Sequence, residues 1–182
     1  MARIALDIDS TLHHYWDLLD RIAQERHGVA LPYAEQSGWG ITALEREQLV
    51  AVIEETHSDE NIEGAEPYEG AVEAVRRWHE AGHWIHVTSH RRTSCDAATR
   101  RWLESTGIPY DDLHCSFDKI TRCVELGIDV LVDDSPVNIV ATSRAVIDVD
   151  GAYKRPLGIL WDHLQPPQIH EIPVLERFGY AG

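Results

Sequence analysis

Residues 4–12 read Ile-Ala-Leu-Asp-Ile-Asp-Ser-Thr-Leu, an apolar run that carries two carboxylates, Asp7 and Asp9, to the point where a buried strand is expected to end. Alternate residues of a strand face the same side, so both acids can point to one place beyond the strand tip. Two close carboxylates repel each other unless a cation or a shared proton relieves the repulsion. The first hypothesis is therefore a divalent-metal site at the end of this strand.

The composition of the 182-residue chain fits one well-buried domain with a small insert. Its 31 acidic and 16 basic residues give a formal net charge of −15, which repels a nucleic-acid backbone. We therefore expect no long DNA or RNA partner. A small phosphorylated metabolite or nucleotide remains compatible with this charge, because a metal and one lysine reverse the field locally.

The three cysteines, Cys95, Cys115 and Cys123, are odd in number and lack metal-ligand spacing, which indicates reduced packing residues. No apolar stretch is long enough to cross a bilayer, and the N-terminus leads almost at once into the first predicted strand. We expect a cytoplasmic protein without a membrane partner. The sequence does not indicate the oligomeric state.

Helix and strand signals alternate along most of the chain, as they do in a parallel α/β sheet. The predicted helices cover 15–27, about 71–82, 94–105 and 119–126, with a further helix that begins at Ser135-Pro136. The predicted strands cover 4–7, 84–87, 113–116, 128–132, 145–149 and 158–160, and the tail from Gln165 has no assignment. The expected fold is a Rossmann-like parallel sheet flanked by helices.

Residues 13–67 interrupt this alternation with helical material directly after the first strand. Thr42 and Glu45 form a capping-box signature, and Leu49, Val50, Val52 and Ile53 are expected to form the buried face of the helix that follows. The acidic stretch 58–66 is interpreted as a return linker. We expect residues 1–12 and 68–182 to form the α/β core and 13–67 to form a small helical cap; the alternative is that the insert merely thickens one core layer.

Polar residues follow three further predicted elements. Thr88 and Ser89 end the strand at 84–87, Lys119 opens a helix, and Asp133 and Asp134 end the strand at 128–132. In a parallel sheet these ends gather at the same edge as the first acid pair. A carboxylate nucleophile, a hydroxyl, an ammonium and a metal together can carry out phosphoryl transfer. Each residue alone has a plainer interpretation as a cap, turn or surface charge.

The motifs taken in order resemble the haloacid-dehalogenase (HAD) superfamily of phosphohydrolases. They are Asp7-x-Asp9-x-Thr11, Thr88, Lys119 and Asp133-Asp134, and the match spans residues 4 to 150. Within that superfamily, Val87-Thr88-Ser89, the run Pro67-Tyr68-Glu69-Gly70-Ala71-Val72 and the short helical insert look like deoxyribonucleotidase-type 5′-nucleotidases and their bacterial relatives. Ser10 departs from the common pattern, where glycine usually follows the second Asp, and this departure leaves the substrate preference open.

The resemblance implies roles for the two acids of the first motif. Asp7 would be the nucleophile that forms an aspartyl-phosphate, and it would also be a metal ligand. Asp9 would protonate the departing alkoxide and then activate the hydrolytic water, with its backbone carbonyl on the metal. The Asp9 side chain would therefore not ligate the metal directly.

The resemblance also implies roles for the later motifs. Thr88 and Ser89 would bind the phosphoryl group, and Lys119 would neutralise its charge. Asp134 is the preferred direct metal ligand, with Asp133 bound through water or in the outer shell, although the reverse assignment stays open. Oxygen ligands with room for waters favour Mg²⁺ as the cofactor.

Several other residues could contact a substrate. His13 and His14 lie beside the first motif, and the run 90–92, His-Arg-Arg, could reach a second anionic group or a ribose, although a solvated loop is the plainer interpretation of that run. Trp16 and Trp39 of the insert could stack on a base or an aromatic leaving group, although packing within the cap is the plainer interpretation. No role is assigned to Tyr153-Lys154-Arg155.

Together these observations predict a magnesium-dependent phosphomonoesterase that acts through an aspartyl-phosphate and resembles a 5′-nucleotidase. One alternative is a phosphatase of a sugar phosphate or a specialised metabolite. Another, from a different class, is a catalytically silent phosphate or nucleotide binder. The presence of both Asp7 and Asp9 argues against the binder, because binding alone does not require an acid/base residue.

Overall fold

The computed structural model describes residues 1–33, 41–135 and 138, together with the backbone of 147–149, 152–154 and 157–160. In chain order its elements are β1 (Arg3–Asp7), α1 (Tyr15–His27), α2 (Arg46–Thr56), α3 (Asp59–Glu63), α4 (Ala71–Glu80), β2 (Trp84–Ser89), a 3₁₀ turn (Thr93–Cys95), α5 (Asp96–Thr106), β3 (Asp112–Cys115), α6 (Lys119–Glu125), β4 (Val130–Asp133), β5 (Ile147–Val149), β6 (Ala152–Lys154) and β7 (Leu157–Leu160). The alternation of strand and helix that the sequence predicts is confirmed.

Five parallel strands form one sheet in the order β3-β2-β1-β4-β7. The central strand β1 pairs with β2 on one side, where Asp7 lies opposite Thr88, and with β4 on the other. The chain builds the sheet outward from β1 in both directions, so the switch in strand order falls between β1 and β4. Ligands of open α/β sheets bind at such a switch, beyond the carboxyl ends of the strands.

Helices cover both faces of the sheet. On one face Leu6 and Val87 belong to a cluster that includes Val75 of α4 and Trp102 of α5. On the other face Ala5 and Leu131 pack with Cys123 of α6. A sheet buried on both faces explains why β1, β2 and β4 are continuous apolar runs instead of alternating ones.

The insert leaves and rejoins the core at one place, where the Tyr68 backbone N–H donates to the Leu12 carbonyl at 2.9 Å. Helices α1 and α2 share an apolar cluster of their own, which contains Leu19, Ile22 and Val52. Helix α3 packs instead against α5 and places Ile62 in the main core. The insert therefore consists of a helix pair with a separate small core and a third helix that is fixed to the sheet layer.

Three details of the insert differ from the sequence-based expectations. The N-cap of α2 is Glu45, which forms a reciprocal capping box with Gln48, so the helix begins after Thr42-Glu45 and not at Thr42. Val50 is 44% exposed, because it lies on the outer side of α2. Residues 58–66 are not simply a linker, since Ser58 accepts a hydrogen bond from the Asn61 N–H and caps α3.

Outside the insert, β5 is a strand as predicted but does not join the main sheet. It pairs antiparallel with the unpredicted β6 in a separate two-stranded sheet. Three features lie outside the described residues: Trp39, the start of the helix at Pro136 and the tail from Gln165. Within the described part of the chain, no helix is both long and apolar enough to span a bilayer.

Candidate active site

A cavity of about 500 Å³ opens at the carboxyl ends of β1 and β4, at the switch in strand order. Residues from the core and from the insert line it together: Asp7, Asp9, Ser10, Tyr15, Trp16, Ile53, His57, His90, Phe117, Lys119, Asp133, Asp134, Ser135 and Asn138. Acidic groups and one lysine lie at the sheet edge, and aromatic and apolar groups of α1 and α2 lie across from them. The cavity therefore has a charged floor and a largely apolar wall.

Lys119 connects the two strand ends at the base of the cavity. Its ammonium donates to Asp7 Oδ1, and it donates to Asp133 Oδ2 at 3.0 Å. All three side chains are buried. Burial opposes the charge on Lys119, but the two carboxylates outweigh this effect and raise its pKa, so the lysine stays protonated.

Asp7, Asp133 and Asp134 form a buried acidic cluster in which one oxygen of each lies within 4.8 Å of the others. Burial is the main cause that raises the pKa of Asp7 to about 7, and the charge of Asp133 adds to it. Burial and the two neighbouring carboxylates also raise the pKa of Asp134 well above its usual range. The contact with Lys119 does not reverse the rise in the pKa of Asp7, because three carboxylates share a single ammonium.

These three residues fit a divalent cation. Their oxygen atoms are the hard ligands that Mg²⁺ prefers, and the excess negative charge at this place favours a bound cation. Asp133 is already occupied: its carboxylate accepts hydrogen bonds from the Ser135 N–H at 2.8 Å, from Asn138 Nδ2 at 3.0 and 3.1 Å, and from Lys119. Asp134 makes no hydrogen bond within the described ranges. Asp134 is accordingly the freer of the two to bind a metal directly.

Asp9 lies in a different environment, although it is only two residues from Asp7. The buried Arg91 holds its carboxylate at two points, with Nη2 at 2.6 Å and Nε at 3.2 Å, and Ser89 Oγ donates to it at 2.7 Å. Burial alone would raise the pKa of Asp9, but the Arg91 guanidinium holds it well below the usual range. His13 Nε2 lies 3.0 Å from the same carboxylate. The Asp9 side chain is therefore kept ionised and out of the acidic cluster.

The two hydroxyl residues of β2 lie beside the cavity but are engaged within the protein. Thr88 Oγ1 donates to the His114 carbonyl at 3.4 Å, and Ser89 Oγ donates to Asp9. Both are fully buried, and neither lines the cavity. Their expected role in phosphate binding stays a prediction. In register, Thr88 is the neighbour of Asp7, so its backbone lies next to the proposed nucleophile.

The remaining sequence candidates have varied positions. Trp16 lines the cavity and anchors the insert by donating from Nε1 to the Leu31 carbonyl at 2.6 Å. His90 also lines the cavity, where its ring stacks near Phe117. His14 contacts Asp17 on α1, and the exposed Arg92 pairs with Glu54 of α2.

The expectation that Arg91 reaches an anionic substrate is not met, because its guanidinium is turned inward to Asp9 and to Thr99 Oγ1. Two residues that line the cavity, Asn138 and His57, were not among the candidates from the sequence. Asn138 could have been suspected, since it lies one helical turn beyond the second acid pair. His57, in contrast, follows α2 in a polar stretch that carries no motif.

The sequence is similar to those of known proteins. A family model described as "5′ nucleotidase, deoxy (Pyrimidine), cytosolic type C protein" matches residues 1–157. A protein of Chlorobaculum tepidum named "Putative 5′(3′)-deoxyribonucleotidase" is 28% identical over 148 residues, which cover 75% of this chain and 71% of that protein.

Two crystal structures show the same fold. One is a HAD family hydrolase from Deinococcus radiodurans R1 with bound phosphate and sodium, at a TM-score of 0.62 and 16% identity, covering 98% of this chain and 96% of that chain. The other is a HAD-superfamily hydrolase of subfamily IA from Geobacter sulfurreducens, at a TM-score of 0.50 and 16% identity, covering 78% and 83%.

Proposed function

Because the chain belongs to the 5′ nucleotidase, deoxy (pyrimidine), cytosolic type C family, we propose that it is a magnesium-dependent phosphomonoesterase that hydrolyses nucleoside monophosphates through an aspartyl-phosphate. The chain is a phosphohydrolase with a HAD-like fold. The observation that carries the finer proposal is the convergence of four buried side chains, Asp7, Lys119, Asp133 and Asp134, at one cavity. These residues come from three separate segments of the chain.

In the first half of the proposed reaction, a carboxylate oxygen of Asp7 attacks phosphorus. The new bond joins Asp7 to the phosphoryl group, the bond to the leaving oxygen breaks, and Asp9 gives that oxygen a proton. Lys119, which already contacts Asp7, offsets the charge that gathers on the phosphoryl oxygens. Since Arg91 holds Asp9 ionised in this structure, that contact must loosen before Asp9 can carry a proton.

In the second half, Asp9 removes a proton from water, the water oxygen attacks phosphorus, and the carboxylate of Asp7 leaves with its electron pair. The ion pair with Arg91 suits this step, because it keeps Asp9 in the form that accepts a proton. Asp7, Asp133 and Asp134 would hold Mg²⁺, which when bound supplies positive charge that stabilises the phosphoryl oxygens.

We also propose that residues 13–67 act as a cap over this reaction. Tyr15 and Trp16 of α1 and Ile53 of α2 line the cavity opposite the acidic cluster. A helix pair with its own small core can move as a unit while the sheet layer stays fixed. Such a cap would limit the site to compact substrates and would keep bulk water from the phospho-aspartate.

The test is a hydrolysis screen of nucleoside monophosphates, sugar phosphates and para-nitrophenyl phosphate, with Mg²⁺ and with a chelator. We expect hydrolysis of nucleoside monophosphates that chelation suppresses and that Asp7→Asn abolishes, because an amide cannot form the phosphoenzyme. Asp59→Asn is the matched control, since Asp59 is an exposed acid on α3 that does not line the cavity.

Wild-type turnover in Asp7→Asn would show that the nucleophile is assigned wrongly. Preference for sugar phosphates would replace the nucleotide by the alternative substrate class. Binding of nucleotides without hydrolysis of any phosphomonoester would favour the silent binder.

A further inference from the structure

Among the residues that the structure describes, two polar atoms beside the active-site cavity have no hydrogen-bond partner. They are Ser10 Oγ and His57 Nε2, both buried, and both residues line the cavity. A buried polar atom without a partner costs free energy, and such atoms are uncommon in folded proteins. Their occurrence together at a cavity, and not in a packed core, points to a partner that enters with a ligand.

Ser10 has a second unusual feature. Its φ is 61°, and among the described residues it is the one non-glycine residue in the left-handed region. Glycine would adopt this conformation without strain, whereas a serine must compensate for the contact made by its Cβ. Backbone strain of this kind concentrates at sites of function. The chain therefore holds a hydroxyl at a position where the backbone itself favours glycine.

His57 follows α2, on the cap side of the cavity. Its Nε2 lies 4.0 Å from Asp9 Oδ2, beyond hydrogen-bond distance. A carboxylate at this distance favours the tautomer with hydrogen on Nε2, so that atom points a free donor toward the neighbourhood of Asp9. The Tyr15 ring lies beside it, with the two ring centroids 5.7 Å apart.

The positions of these atoms relative to the reacting groups define what they would contact. In the proposed reaction the phosphoryl group lies by Asp7 and Lys119, and the leaving oxygen lies by Asp9. His57 approaches Asp9 from the insert, and Ser10 follows Asp9 directly in the chain. Ser10 and His57 line the same cavity as Asp9, so their free polar atoms can meet a leaving group that lies in the cavity beside Asp9.

We infer that Ser10 Oγ and His57 Nε2 bind oxygen atoms of the leaving group, so that the site selects phosphomonoesters whose carbon skeleton carries hydroxyl or ether oxygens. Sugars and nucleosides have such skeletons, and simple aryl phosphates do not. This inference rests on the proposed function of the site. It assigns the substrate preference to the serine that stands at the usual glycine position and to a histidine of the insert.

The test compares His57→Phe, His57→Gln and Ser10→Ala with the full-length wild-type protein in Mg²⁺. The substrates are a deoxynucleoside 5′-monophosphate, ribose 5-phosphate and para-nitrophenyl phosphate. For the oxygenated substrate that the wild type prefers, we expect kcat/KM to fall roughly 10-fold in His57→Phe and in Ser10→Ala, the size of one lost hydrogen bond. For para-nitrophenyl phosphate we expect a change below about 2-fold, since this leaving group carries no hydroxyl or ether oxygen and its nitro oxygens are weak acceptors.

His57→Gln serves as the rescue variant, because its amide can donate from nearly the same place, and we expect it to restore most of the lost kcat/KM. Ser10→Gly separates backbone strain from the hydroxyl: it relieves the strain yet lacks Oγ, so it should show the same selective loss as Ser10→Ala. Thermal unfolding of each variant checks that the fold is intact. If His57→Phe does not fold, the kcat/KM values of the Ser10 variants and of His57→Gln on the three substrates still test the inference.

Equal losses on all three substrates, or no loss on any, would overturn the inference while leaving the proposed function standing. Failure of the wild type to hydrolyse any of the three would instead reject the proposed function. The faster of the two oxygenated substrates identifies the skeleton, nucleoside or free sugar, that the site accepts.

Discussion

Two carboxylates of one short motif have opposite environments in this protein. Burial raises the pKa of Asp7 to about 7 beside other acids, whereas the Arg91 guanidinium holds the pKa of Asp9 well below its usual range. A pair of acids whose pKa values are pushed apart by their surroundings is the pattern expected of two groups with different chemical roles. The division of labour that we propose, with Asp7 as nucleophile and Asp9 as acid/base residue, would therefore come from the neighbours and not from the acids themselves.

At the same scale, Asp134→Asn tests the proposed metal site. A raised Asp pKa means that the folded state without metal loses stability as the pH rises from the ordinary value of 3.8 through the higher folded value. At pH 7.5 without metal, the amide removes the repulsion from Asp7 and Asp133, and we expect Tm to rise by about 3 °C, or about 1 kcal/mol for a chain of this size. Thermal unfolding in a chelator measures this rise.

The same variant should lose its response to magnesium. We expect Mg²⁺ to raise Tm of the wild type and to leave Tm of Asp134→Asn almost unchanged, because the cation has lost a ligand. Asp133→Asn is the contrasting variant: Asp133 accepts hydrogen bonds from Lys119 and Ser135, so its replacement should lower Tm even without metal. An equal Mg²⁺ response in wild type and Asp134→Asn would contradict the ligand assignment.

At the scale of elements, α3 is the part of the insert that is fixed to the core. Ile62 is 1% exposed and packs in the main cluster, and Arg101 of α5 pairs with Asp59 and Glu63 of α3 at 3.0 and 2.7 Å. The ion pairs are at the surface, where water and salt weaken them, whereas the apolar contact is fully buried. Burial of Ile62 is therefore the larger contribution to the position of α3.

This comparison gives a prediction for the insert. We expect Ile62→Ala to lower the free energy of unfolding by about 3 kcal/mol, because it removes buried methyl groups and leaves a cavity. Arg101→Ala should cost less than about 1 kcal/mol, as exposed ion pairs usually do. Val50→Ala on the outer side of α2 is the control for side-chain truncation and should change stability by less than about 0.5 kcal/mol. Urea unfolding followed by circular dichroism measures all three.

If Arg101→Ala costs more than Ile62→Ala, the ion pairs and not the apolar contact fix α3. That result would also predict that salt weakens the attachment of the insert to the core.

At the scale of the whole molecule, the parallel sheet determines both the place of the site and part of the response to pH. His86 of β2 is fully buried, and its Nδ1 lies 3.1 Å from Asp112 Oδ2, but within the described part of the chain neither ring nitrogen has a hydrogen-bond partner. Burial lowers the pKa of His86 to about 4, against 6.5 in the unfolded chain. The folded protein therefore keeps this histidine neutral where the unfolded chain would protonate it.

The sign of the effect follows from this difference. The contribution of neutral His86 to the free energy of unfolding is fully present above pH 6.5. It decreases below that pH and is lost as the pH falls through 4. We expect this residue to account for about 2 kcal/mol of the difference in unfolding free energy between pH 7 and pH 5. Urea unfolding of wild type and His86→Leu at both pH values measures it, and the variant should show a smaller difference. The same pH difference in both proteins would contradict the assignment.

Much of the architecture could be predicted from the sequence, because the signals involved are local. The spacing of apolar residues and the capping residues predicted most helices and strands at nearly their observed bounds. Four motifs in a parallel sheet predicted the convergence of Asp7, Lys119, Asp133 and Asp134. The sequence-based predictions of secondary structure and strand pairing were wrong where tertiary contacts outweighed the local residue pattern. The polar stretch 58–66 became α3 because one apolar residue, Ile62, could be buried against α5. Strand β5 paired with β6 instead of joining the sheet.

Local residue patterns were sufficient to indicate the individual strands and helices and the polar residues that follow them, since each of these depends on residues close together in the chain. Which groups face each other depends instead on contacts between segments that are remote in the chain. Arg91 turned inward to Asp9, 82 positions away, and His57 was brought from the insert to the rim of the acidic site. Such pairings do not follow from local sequence, because hydrogen bonds and charge interactions act over a few ångströms. The distances between remote segments are set by the packing of the whole chain.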